Sequence, residues 1–218
     1  YAKYVNDILL EYAAQYKNWK LHPARKTDQQ SGRIFWQSLN DFVWQVYVIQ
    51  GYDMVHDAIS SEDRSNIEND LFLPILKFIT VDGYETFNKI HNHGTWAIAA
   101  TALTGYVLNK MDYVEMALKG SKKDGETGYW AQLDQLFSPD GYYAEGPYYQ
   151  RYALYPFLIT AKAIHNYQPQ KNVFSYRDSI LAKAVNTCLQ LTDARGYFSR
   201  LMMQLRIKLL KVLNWCMV

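Results

Sequence analysis

Ser138-Pro139-Asp140-Gly141-Tyr142-Tyr143-Ala144-Glu145-Gly146-Pro147-Tyr148-Tyr149-Gln150-Arg151-Tyr152 reads as a tight turn running straight into a helix start. Pro fixes φ and Gly accepts a positive φ, so Pro139-Asp140-Gly141 predicts a turn with a mechanism. Glu145 precedes a helix whose positive end it offsets. Gly146 gives a tight entry, and Pro147 suits the first helical position, where a missing N–H is no loss. Tyr148, Tyr152 and Tyr155 then recur at helical spacing, with Tyr149 on a neighbouring face beside Arg151. Five of the chain's 19 tyrosines fall in this stretch. A tyrosine-rich helix N-terminus is thus presented at the rim of a loop, where sites are commonly built. Tyrosines at this spacing equally serve as packing residues or as faces for sugar rings.

The same helical period runs outward in both directions. Tyr1 to about Tyr16 predicts an amphipathic helix with Tyr4, Ile8, Leu9 and Tyr12 on one face. Trp19 to Ser31 is a polar, basic loop. Arg33 to about Tyr52 predicts a long helix with Phe35, Leu39, Phe42, Val46 and Ile49 on its core stripe. Its other face carries Trp36, Gln37, Asn40, Asp41, Trp44 and Gln50, and Gly51 is expected to end it. Ser60 and Asp63 form a capping-box-like start. Asn66–Thr80 follows as a helix interrupted at Pro74, then a turn at Asp82-Gly83. His93–Leu108 is a helix of small residues, which let neighbours approach closely. Helices are also predicted over Asp112–Gly120, Tyr129–Phe137, Pro147–Tyr167 with a bend near Pro156, and Phe174–Leu191. No strand pattern occurs. The fold class is all-α, as a bundle, a solenoid or an α/α toroid, and the lack of repeats weighs against a consensus solenoid.

Composition narrows the function. The 218 residues are 49% apolar, enough for a proper core, and 16% aromatic. Net charge is +2, but Arg200, Arg206, Lys208 and Lys211 sit in an acid-free tail. The remaining 19 bases face 21 acids, which argues against a nucleic-acid partner. Lys17, Lys20, Arg25, Lys26 and Arg33 are candidates for a local polyanion cluster, with a solvated basic face as the simpler reading. No run is long and apolar enough to span a membrane. Cys188 reads as a small buried residue, and two cysteines without CxxC spacing define no metal or redox motif.

A second stretch, His91-Asn92-His93-Gly94-Thr95-Trp96, precedes the small-residue helix. No Cys, HExxH or acidic cluster completes a metal site around its two histidines, so no metal and no organic cofactor is expected. One structural reading makes Asn92 a helix cap with exposed histidines. Taken with the tyrosines, the stretch also fits β-elimination from a uronic acid. The C5 proton becomes removable once an Asn or protonated His bonds the neighbouring carboxylate and draws off its charge. A tyrosine then serves as base, as acid toward the C4 leaving oxygen, or as both. Free Tyr has a pKa of about 10, so a cation such as Arg151 would help it ionise.

Phe35-Trp36-Gln37-Ser38-Leu39-Asn40-Asp41, Asn92-His93-Gly94-Thr95-Trp96 and Phe137 to Tyr152 together resemble the heparinase II/III superfamily, in particular the heparinase III-like polysaccharide lyases of Bacteroidetes. The resemblance covers residues 1–198. It implies an incomplete (α/α) toroid, truncated before a C-terminal β-sandwich domain that relatives carry. It also implies a periplasmic location and an acidic polysaccharide substrate, heparan sulfate or heparin, with alginate or another uronan as the alternative. Carried over by motif, Asn92 neutralises the carboxylate, His93 assists, and Tyr149 is the catalytic tyrosine with Tyr148 as the fallback. Trp36, Gln37, Asn40, Glu145 and Arg151 shape the substrate cleft. Without the β-domain the site loses a wall, so weak activity or glycan binding without cleavage is expected of this chain.

After Phe198 the pattern fails. Relatives look as if they continue Phe-Pro-Ile/Leu-Asn-Asp-Ala, where Ser199-Arg200-Leu201-Met202-Met203-Gln204 stands here. Plausible codons for that run, read two bases later, give Pro-Ile-Asn-Asp-Ala. Residues 199–218 are therefore expected to be a frameshifted tail, with an amphipathic helix over Leu201–Leu213 as the alternative.

Overall fold

The computed structural model describes residues 1–23 and 30–193. The expectations for the 199–218 tail, and for Arg25 and Lys26, lie outside the described residues. The all-α expectation holds. Ten α-helices are described, and among the described residues the one extended pairing is an antiparallel bridge between Phe137 and Tyr143.

Helix α1 (Ala2–Tyr16) buries Leu9, Ala13 and Tyr16 and packs Tyr12 against the core, so only Leu9 and Tyr12 of the predicted stripe face inward. Tyr4 and Ile8 face solvent. Helix α2 (Ser38–Val55) starts five residues later than its apolar period suggests. The cause is Asp41. Its carboxylate accepts from the backbone N–H groups of Arg33 (2.7 Å), Ile34 (3.1 Å) and Phe35 (2.9 Å), folding that segment back as a loop. Burial pushes Asp41 above the usual carboxylate range, against the pull of those three donors. Trp36 and Gln37 therefore sit on a loop ahead of α2, not on its face. Gly51 does not end the helix, because an isolated glycine costs only about 1 kcal/mol in a helix interior.

The next stretch is one helical run of alternating geometry: α3 (Ser61–Ile67), a π-turn at Glu68–Phe72, α4 (Leu73–Lys77) and a second π-turn at Phe78–Asp82. Pro74 sits in the first turn of α4, where it interrupts nothing. Ser60 caps α3 by accepting from the Asp63 N–H at 3.1 Å, as its sequence predicts. Helix α5 (Tyr84–Phe87) leads to α6 (Asn92–Val107).

Helix α6 is the centre of the molecule. Ala97, Ala99, Ala100 and Ala102 are wholly buried, and α6 packs against α2, α7 (Met111–Lys119) and α9 (Pro147–Tyr167). Small side chains permit this on several sides at once. Helix α8 (Gly128–Leu136) and α10 (Tyr176–Gln190) complete the set. Tyr129 ties α8 to α9 by donating to the Phe157 carbonyl at 3.0 Å. Cys188 is buried on α10, and burial pushes its thiol up to about 12.

Ala100→Leu adds three carbons to a helix with no free side. It is expected to lower stability by about 1–3 kcal/mol, read as a drop in midpoint on urea unfolding.

Candidate active site

The site begins with the turn at Pro139-Asp140-Gly141, which forms as its residues require. Gly141 has φ +89°, and a Cβ there would lie 2.4 Å from the Ala184 nitrogen. The loop closes through Ala144 N–H to the Leu136 carbonyl (2.8 Å). Gln150, wholly buried, holds it from the helix side by donating to the carbonyls of Gly141 (2.8 Å) and Ala184 (3.0 Å). Gly146 (φ +86°) then turns the chain into α9 at Pro147.

This loop delivers Glu145 to the start of α6. Its Oε1 accepts from the Asn92 backbone N–H (2.8 Å) and the Tyr143 hydroxyl (2.9 Å). Its Oε2 accepts from Asn92 Nδ2 at 2.5 Å, with His91 Nε2 at 3.3 Å. Glu145 thus shapes the cleft by organising protein donors; both of its oxygens are already engaged. The helix cap is His91 and not Asn92: His91 Nδ1 accepts from the His93 N–H at 3.3 Å. Asn92 is the first helical residue and is 1% exposed. Its Oδ1 is buried without a hydrogen-bond partner.

His93 is half-buried beside them. Desolvation is the largest influence on it, and with His91 and Lys89 it lowers the imidazole pKa below 6.5, partly offset by Glu145. The free protein therefore holds His93 neutral at pH 7. In the free protein a cation here is disfavoured by burial beside another imidazole and a lysine.

The first turns of α9 supply the tyrosines. Tyr149 is half-buried at the edge of the core, in edge contact with Tyr148 at 5.3 Å between ring centres. Arg151 places its guanidinium 4.6 Å over the Tyr148 ring, so its close aromatic contact is with Tyr148, the fallback residue. Burial raises the Tyr152 phenol, reinforced by the neighbouring hydroxyls of Tyr47, Tyr149 and Tyr148. Trp96 of α6 packs on Tyr152 at 5.1 Å, and Tyr47 of α2 stacks on Tyr155 at 5.5 Å. Three helices thereby share one aromatic wall next to the Glu145 junction.

A cavity of about 420 Å³ is lined in part by Gln37, Ser38, Thr86, Lys89, His91 and His93. The structure thus gathers Gln37, Asn92, His93 and Glu145, with Tyr148, Tyr149 and Arg151 on the adjoining helix start. Trp36 is exposed on the loop before α2, and Asn40 is half-buried in the first turn of α2, outside the cavity lining. Sequence reasoning missed Tyr47, Lys89 and the capping role of His91. Lys89 and His91 flank a motif already singled out, whereas nothing in the sequence signals Tyr47. Of the proposed basic cluster, Lys17 is paired with Asp70. Arg33 donates to the Trp19 carbonyl at 2.9 Å and lies 3.9 Å from Asp82, so neither is a free polyanion contact. Among the described residues no three His, Cys, Asp or Glu side chains form a metal-binding group, and no helix is long and apolar enough to cross a membrane.

The site thus combines helical walls, an imidazole–amide turn and phenols at a helix start. The family model for alginate lyases matches residues 1–196, and the chain belongs to that family. It is 54% identical over 198 residues to an exo-oligoalginate lyase of Saccharophagus degradans, covering 91% of this chain and 27% of that protein. It is 52% identical over 190 residues to an alginate lyase of Stenotrophomonas maltophilia, covering 87% of this chain and 25% of that one. The chain thus spans about a quarter of the length of these curated relatives. The resemblance to heparinase II/III enzymes is corrected by these matches, and with it the heparan sulfate or heparin substrate. The physical reason is that the residue types read in the motifs fit a carboxylate-bearing sugar in general and none of them was a specific reader of sulfate.

Two outcomes follow. Glu145→Gln replaces an acceptor by an amide N–H facing donors, and is expected to lower stability by about 2 kcal/mol in urea unfolding. For His93, the folded pKa lies below the unfolded 6.5. Stability is then full above pH 6.5 and falls as pH drops toward the lowered folded value. His93→Gln should flatten that part of the melting-temperature profile.

Proposed function

We propose that this chain is the helical, catalytic part of an alginate lyase that cleaves by β-elimination. The observation that carries the reading is the Glu145 junction, which fastens the loop leading into Tyr148 and Tyr149 onto the turn holding Asn92 and His93. Family membership and the names of two relatives support alginate as the polymer.

In this reading the uronate carboxylate meets His93 N–H and the second amide hydrogen of Asn92, whose first is held by Glu145. Charge drawn from the carboxylate stabilises the enolate-like state that forms when the C5 proton leaves. Tyr149, acting as the phenolate, takes that proton and the phenol so formed returns it to the C4 oxygen as the C4–O bond breaks, which regenerates the phenolate. The products are a new reducing-side chain end and a sugar with a C4–C5 double bond. His93, neutral before substrate binds, orients the carboxylate without competing as a cation for Glu145. The aromatic wall of Tyr47, Trp96, Tyr152 and Tyr155 gives the polymer flat faces to lie along.

The test is mixing with oligoalginate and following the ultraviolet absorbance of the unsaturated product. The wild-type protein should generate it. Tyr149→Phe should lower the rate at least about 100-fold with an unchanged melting temperature. Equal rates for the two would remove Tyr149 from the mechanism. Tight binding with no product from the wild type would instead assign glycan binding without cleavage.

A further inference from the structure

The cavity beside the histidines carries a charge pattern that the reaction itself does not use. Among the described residues no acid lines it; their side chains are one ammonium, two imidazoles, amides, hydroxyls and Ile90. The ammonium belongs to Lys89, which is exposed but fixed at its main chain. Gln132, wholly buried, donates to the Lys89 carbonyl at 2.9 Å and accepts from the Thr95 hydroxyl. Gly94 packs against that same carbonyl, so closely that a Cβ there would lie 2.0 Å from it. Lys3, Lys17, Lys119, Lys123 and Lys183 each pair with a carboxylate. Lys89 has no such partner among the described residues. A cation on a rigid base thus lines a hollow of small-molecule size.

We propose that this cavity is a second hexuronate subsite, next to the sugar that reacts. Lys89 Nζ holds the carboxylate. Gln30, Gln37, Ser38 and Thr86 supply the polar lining. The inference rests on the alginate reading and adds to it a recognition site for a neighbouring unit. His91 and His93 also line the cavity, so the subsite adjoins the turn that bears them. A lysine suits this position because an ammonium fits a carboxylate as a point charge without demanding one orientation.

The experiment uses the Tyr149→Phe protein to prevent turnover and measures binding of trimannuronate by tryptophan fluorescence. Adding Lys89→Met should weaken the trimer about tenfold, the scale of one charge-assisted hydrogen bond. It should also reduce the salt dependence of binding, since one screened contact is lost. The fully methyl-esterified trimer should bind both proteins equally. Lys89 is exposed, so the variant should melt at the same temperature. Free mannuronate binding with the same dependence on Lys89 would support the site and identify its occupant as a released sugar. Unchanged trimer affinity in Lys89→Met would overturn the subsite and leave the alginate reading intact. Failure of the parent protein to bind any trimer would overturn both.

Discussion

One carboxylate joins two helix beginnings. Glu145 accepts from both nitrogens of Asn92 and from the Tyr143 hydroxyl, with His91 alongside, at the electropositive end of α6. Tyr143 is wholly buried and Asn92 nearly so, so these donors have no water to fall back on. Leaving any of them unmade costs about 1–3 kcal/mol each. The position of α9 relative to α6 is therefore fixed at its first turn, where the tyrosines are, as well as by packing further along.

The packing below is what makes that junction possible. Four buried alanines bring α2, α7 and α9 close to α6, and the aromatic rings of α2 and α9 then meet above Trp96. Asp41 does for the loop before α2 what Glu145 does for the loop before α9. Asp41 does so with three backbone N–H groups, Glu145 with one backbone N–H and the side chains of Asn92 and Tyr143. The segments so placed carry Trp36 and Gln37 in one case, Tyr148 and Tyr149 in the other.

Helix α9 was fully legible in the sequence, because Gly146 and Pro147 are unambiguous start signals and the end coincides with Tyr167. Helix α2 was legible in its middle but not at its start, since periodicity is blind to a side chain capturing N–H groups six to eight residues back. For α1 the period was right and the face right in part: Leu9 and Tyr12 turn inward while Tyr4 and Ile8 do not, since several stripes score alike when Tyr is counted as apolar and only the neighbours decide which is buried. The two motifs could be singled out because their residue types are chemically capable. Their mutual placement could not, because Asn92, to which Glu145 bonds, lies 53 residues away in the chain. The polymer was misassigned for a different reason: the motifs hold nothing that distinguishes one acidic polysaccharide from another.

Pro156 lies inside α9 without ending it, so the Tyr152 carbonyl receives no N–H from that position. The hydrogen-bond ladder is therefore one rung short just beyond Tyr155. Tyr148, Tyr149 and Tyr152 lie before the missing rung; Phe157, Ala161 and Ile164, all sunk in the core, lie after it. The aromatic start of the helix is thus less tightly tied to its own backbone than the buried remainder is.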